Sequence, residues 1–242
     1  MKIDHEICIG CEECIAYCTM GVISIQDGLA HIDHDECVEC GVCLKLKVCP
    51  LEAIYQDELR FPRIIRSSFS NPEMPHARTK RHGRGTEEMK TNDVTNRFKE
   101  GEIGLCIEVG RPGIGTRLRD VEKISMALAQ AGILLEEDNP IYDHVEDLLT
   151  GKLKEEVLGE KVLSAIVEVK EKPEIIALAL DGLKELSSTL ETVITLSVIC
   201  KVREDESIPD YDKLNKLGYT TNGHAKVNIG LGRISDKGEG IA

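Results

Sequence analysis

The fold is decided by "CIGCEECIAYC" (Cys8–Cys18) and its partner "CVECGVCLKLKVC" (Cys37–Cys49). The first spaces its cysteines Cys8-x2-Cys11-x2-Cys14-x3-Cys18. The second reads Cys37-x2-Cys40-x2-Cys43-x5-Cys49, with Pro50 following. The flanks repeat as well. "KIDHEICIGCEEC" (2–14) and "HIDHDECVECGVC" (31–43) align without a gap at an offset of 29 residues. The cysteine block is therefore an internal duplication.

Eight of the ten cysteines lie in this block, and Cys106 and Cys200 stand alone. The chain starts "MKIDHEICIG", with no apolar stretch of the kind a secretory leader needs. A cytoplasmic protein is expected, in which thiols are metal ligands rather than disulfides. No run approaches the roughly 18–20 apolar residues of a membrane span. The net charge of −13 argues against nucleic acid as a partner, because phosphate binding needs a broad cationic face. The charge is uneven. Residues 1–58 carry twelve Asp and Glu against three Lys and Arg, a balance of −9. Residues 59–84 carry seven Lys and Arg against one Glu, a balance of +6.

A tight C-x2-C-x2-C loop can aim three thiolates at three corners of an iron–sulfur cube, with the fourth ligand arriving from a distance. Structural zinc instead prefers well-separated pairs of knuckles, which these triple runs fit poorly. In two-cluster proteins the fourth cysteine of each run binds the other cluster. That assigns Cys8, Cys11, Cys14 and Cys49 to one [4Fe–4S] cluster, and Cys37, Cys40, Cys43 and Cys18 to a second. Residues 1–58 thus resemble the bacterial two-cluster ferredoxins. Two departures stand out. Thr19 follows Cys18 where that family usually has proline, and five residues rather than three precede Cys49.

Residues 59–101 show little periodicity and are rich in loop formers, so a basic connector loop is expected. Its "HGRGTEEMKTND" stretch carries His82 and Arg84, candidates for an anionic ligand. From residue 102 the pattern becomes regular. Strands are expected at 103–109, 133–137, 163–169 and 195–202, with helices following "GRPGIGT" (110–116) and Pro173. The order βαββαβ implies an α+β fold with two helices on one antiparallel sheet. Residues 102–203 resemble ACT domains through Arg111, Pro112 and Gly113 in the first turn. The resemblance implies a small-effector site lined by Arg111, Gly113 and Gly115, and a homodimer. Glycines before a helix also attract anions on their own account. Residues 204–242 read as an extension with one strand at 225–231.

Two functions fit. The first is an electron-transfer protein of anaerobic metabolism, rather than an enzyme, docking through its acidic ferredoxin surface on a redox partner with a cationic patch. The second is a reductase or reductase subunit for an anionic or sulfur-containing substrate, bound by the connector and the "GRPG" turn.

Overall fold

In a computed structural model, residues 1–78, 80, 82, 99 and 101–220 are described. The N-terminal half begins with β1 (Lys2–Ile3). A hairpin of β2 (Ile23–Gln26) and β3 (Leu29–Ile32) follows. Asp27 and Gly28 turn it with φ of 50° and 79°, the paired left-handed conformation that suits a two-residue hairpin. The short helix α1 (Val42–Lys45) and β4 (Ile54–Tyr55) complete this half, with β4 antiparallel to β1. Its core is small: Met1, Ile23, Ala30 and Ile54, together with Cys14, Cys37 and Cys43. Without something for those thiols to hold, so little apolar surface makes a marginal unit.

The connector is not all loop. Helix α2 (Ile64–Ser70) occupies its first part and buries Ile65 and Phe69 in the core of the second half. Its Arg66 is only 4% exposed. The guanidinium donates to the carbonyls of Asp35 (2.7 Å) and Cys37 (2.9 Å) and to the carboxylate of Glu160.

The second half is built on β5 (Ile103–Val109), which carries Ile103, Leu105, Ile107 and Val109 at period two, all fully buried. The remaining strands are β6 (Thr116–Arg117), β7 (Val145–Asp147), β8 (Lys152–Leu153), β9 (Lys161–Val162), β10 (Ala165–Glu171) and β11 (Ile194–Ile199). The main sheet has the order β10-β5-β11, antiparallel throughout. Helices α3 (Leu118–Gln130) and α4 (Pro173–Leu186) press Val121, Ile124, Leu128, Ile176, Ala179 and Leu183 into the common core. Cys106 is buried, and Cys200 is partly buried against the same core. Helix α5 (Pro209–Lys216) is tied on beside Tyr219, whose hydroxyl donates to the Ala177 carbonyl at 2.9 Å.

The expected strand at 133–137 is absent, so the sheet has three strands where a full βαββαβ sandwich has four. This stretch runs beside β10 with a backbone bond from Glu136 N–H to the Glu168 carbonyl at 3.1 Å. The Asn139 amide then replaces the next rung by donating to the Ile166 carbonyl at 2.9 Å. Pro140 has no N–H to extend a ladder, and Asn139 instead caps a 3-10 turn over Pro140–His144. The expected strand at 225–231 lies outside the described residues.

Two expectations follow. Arg66→Ala strips buried carbonyls and Glu160 of their donor and should cost about 3–5 kcal/mol in anaerobic chemical denaturation, with Arg66→Lys recovering only part. His144 sits against Phe69, and burial lowers its pKa to about 4, with Asp143 opposing and Lys154 and His76 assisting. It stays neutral in the folded chain while the unfolded chain takes up a proton near pH 6.5. Stability should therefore fall by roughly 2–3 kcal/mol as pH drops from above 6.5 towards 4, and His144→Asn should flatten that slope.

Candidate functional site

Two cavities open in the N-terminal half, and each is lined by four cysteines. The first, with about 360 Å³ of empty space counting its open mouth, has Cys8, Cys11, Cys14 and Cys49 on its wall. The second, with about 350 Å³ counted in the same way, has Cys18, Cys37, Cys40 and Cys43. The rest of each wall is mostly apolar: Ile3, Ala30, Ala53 and Ile54 in one, Met1, Val22, Ile23, Ile32 and Val38 in the other. Among the described residues no three ligating side chains converge as they would on a single metal ion. The thiols surround a space instead.

Local backbone geometry explains how the loops wrap that space. Gly10 and Glu12 flank Cys11 with φ of 66° each, and Glu39 and Gly41 flank Cys40 with φ of 55° and 72°. The two repeats exchange glycine and glutamate between equivalent positions, yet the left-handed conformation is the same. The loop requires the conformation, and glycine is only the easier way to reach it. At Gly10 a side chain is impossible for a second reason: a Cβ there would lie 2.0 Å from the Gly28 carbonyl oxygen. Glu39 tolerates its position because it is buried and doubly paired, accepting from Arg63 Nε at 2.8 Å and from the Met1 ammonium.

Backbone N–H groups also point at sulfur. Val22 donates to Cys18 at 3.4 Å and Ala53 to Cys49 at 3.3 Å, the same i to i+4 relation in both repeats. Ala30 donates to Cys8 at 3.5 Å. The two-residue insertion before Cys49 is absorbed by α1 and the turn at Lys47 (φ 48°), so Cys49 keeps the local role of Cys18. Burial pushes the Cys43 thiol up to about 12 and raises those of Cys14 and Cys37 as well. Such thiols are neutral on their own, and a metal centre must displace their protons. Apolar walls, four thiols per cavity and N–H donors to sulfur are what an iron–sulfur cluster needs.

The other candidate residues are placed differently. The turn of Arg111, Gly113 and Gly115 is engaged within the chain. Gly113 N–H donates to the Thr19 carbonyl at 2.8 Å, and Arg111 donates to the Thr195 hydroxyl. A Cβ on Gly115 would lie 2.9 Å from both Met20 Cε and the Val162 carbonyl oxygen. His82 is exposed and bonds the Pro72 carbonyl at 3.0 Å, while Arg84 lies outside the described residues. Sequence reading missed the ion pairs that fix the two halves together. Arg117 donates to Asp35 and Glu36, each at 2.7 Å, and Lys161 pairs with Glu36. The hydrogen bond from Arg117 holds the Asp35 carboxyl below the usual range.

The loop geometry predicts opposite outcomes at adjacent positions. Gly10→Ala should cost roughly 1–3 kcal/mol or more in denaturation midpoint, through clash and strain together. Glu12→Gly should be neutral or stabilising by up to about 1 kcal/mol, because only the left-handed strain is relieved.

Similarity to known proteins is confined to the N-terminal region. It is 43% identical over 47 residues to a component of the ion-translocating oxidoreductase complex of Methanosarcina acetivorans, which is 19% of this chain and 17% of that protein. It is 40% identical over 52 residues to the PorD subunit of pyruvate synthase from Methanothermobacter marburgensis, 22% of this chain and 58% of PorD. The chain thus spans less than two thirds of either relative. It is 36% identical over 55 residues to ferredoxin 7Fe of Hydrogenibacillus schlegelii, 22% of this chain and 68% of that protein. No family model and no solved structure matches. No helix among the described residues is long and apolar enough to cross a membrane. Cysteine spacing, cavity chemistry and these matches agree that the N-terminal region belongs to the iron–sulfur ferredoxins.

Proposed function

We propose that the protein carries two [4Fe–4S] clusters and relays single electrons to an oxidoreductase partner. Cys8, Cys11, Cys14 and Cys49 would hold one cluster; Cys18, Cys37, Cys40 and Cys43 would hold the other. The observation that carries this reading is the sorting of the eight thiols into two cavities of four, each drawing its fourth cysteine from the other repeat. A cluster in such a site supplies a one-electron couple whose potential follows hydrogen bonds to sulfur and exposure. The named relatives that are parts of redox complexes support an oxidoreductase as partner.

The cysteines of the two cavities differ in exposure. Around the first, Ile9 is 68% exposed, Leu51 is 43% exposed and Cys11 is exposed. Exposed carboxylates of Glu6, Glu12, Glu13 and Glu52 lie close to them in sequence. An apolar centre with acidic surroundings suits a partner surface with an apolar centre and a cationic rim. Around the second, Met1, Met20, Val38, Cys37 and Cys43 are buried, and Tyr17 is 47% exposed. The first site is the one with an exposed cysteine, Cys11. The ACT-like reading of residues 102–203 retains the order β10-β5-β11, which a split βαβ fold would show without its second strand. Its turn serves the contact between the halves.

Anaerobic purification tests the clusters directly: about eight iron atoms and about eight sulfides per chain are expected. Stoichiometric zinc without sulfide would refute the reading. The dithionite-reduced protein should pass electrons to cytochrome c, a cationic acceptor, at a rate that falls with added salt. Glu13→Lys with Glu52→Lys should slow this severalfold, while Glu185→Lys on α4 should not.

A further inference from the structure

The two cavities differ at the residue after the fourth cysteine of each run. Pro50 follows Cys49 and has neither a hydroxyl nor an N–H. Thr19 follows Cys18, and its hydroxyl lies 3.3 Å from Cys40 Sγ across the second cavity. Either atom of a free thiol–hydroxyl pair could donate. A cysteine bound to iron has no proton, so with the site filled the Thr19 hydroxyl must be the donor. Thr19 is itself held from outside the ferredoxin region. Its carbonyl accepts from Gly113 N–H at 2.8 Å. The neighbouring Met20 is buried against Gly115, in the space a Cβ would fill. The segment joining Cys18 to the rest of its cavity is thus pinned by the 111–115 turn.

Resting on the two-cluster reading above, we propose that Thr19 is a positioning residue that raises the reduction potential of the cluster held by Cys18, Cys37, Cys40 and Cys43, and that the second half of the chain sets this bond through the 111–115 turn. A donor on a ligand sulfur draws off electron density and favours the reduced, more negative state of the cluster. At the equivalent position of the first site Pro50 has no hydroxyl to supply such a bond, and the donors to sulfur there are the backbone N–H groups of Ala30 and Ala53. The bond therefore raises the potential of the second site above what the same site would have without it. It also makes that rise depend on how the two halves are docked. The contact that occupies the "GRPG" turn becomes a means of tuning rather than a place for a ligand.

The test is a potentiometric titration of the anaerobic holoprotein, followed by electron paramagnetic resonance. Thr19→Val keeps the shape and removes the hydroxyl. With iron content unchanged, one potential should shift lower while the other stays, and Thr19→Ser should return it to the wild-type value. Gly115→Ala, which forces Met20 and the turn apart without touching a ligand, should shift the same potential in the same direction. Unmoved potentials in Thr19→Val with intact clusters would overturn the inference alone. A serine variant that behaves like the valine one would do the same. An unmoved potential in Gly115→Ala would remove the part assigned to the turn. Absence of clusters from the wild type would overturn the function reading, and this inference with it.

Discussion

One buried guanidinium joins the two halves of this protein. Arg66 leaves helix α2 and satisfies carbonyls of the second cysteine run together with a carboxylate just before β9. A buried cation is tolerated only when its donors are matched, and removing any partner leaves another charge or dipole stranded. Around it, Arg117 and Lys161 of the second half engage Asp35 and Glu36 of the first. Asp35, Glu36 and Cys37 are consecutive, so the backbone entering the second cavity is fixed by residues that lie up to 125 positions away. The shape of that cavity is a property of the whole chain.

Among the described residues the first cavity has no such brace. Its loop is held by close backbone approach, with Gly10 against Gly28, and by the short pairing of β1 with β4. One duplicated unit has therefore acquired two environments. The first copy keeps exposed apolar and acidic residues near its mouth; the second has two buried cysteines and a hydroxyl 3.3 Å from a third sulfur. Under the two-cluster proposal, unlike surroundings would give the two sites unlike potentials.

Much of this was legible beforehand, because it rests on spacing and periodicity. The cysteine runs, their duplication, the buried period-two face of β5 and the inward faces of α3 and α4 could all be read from residue order alone. What failed to show were features made by partners distant in sequence. Residues 64–70 carry three serines and an arginine, which reads as loop, yet Ile65 and Phe69 find a core to enter and form a helix. Residues 133–137 look like a strand, yet Asn139 and Pro140 convert their edge pairing into a cap and a turn.

The sequence by itself determined the thiol pattern: thiols in triplets can be read as cluster loops because the spacing alone allows three sulfurs to face one centre. Only the tertiary structure decided what stands around those loops. The Arg111–Gly115 turn has the composition of an anion site, but hydrogen bonds are directional and each N–H serves one strong acceptor. Once Gly113 is given to Thr19, the turn belongs to the ferredoxin region, a choice made by packing between segments nearly a hundred residues apart.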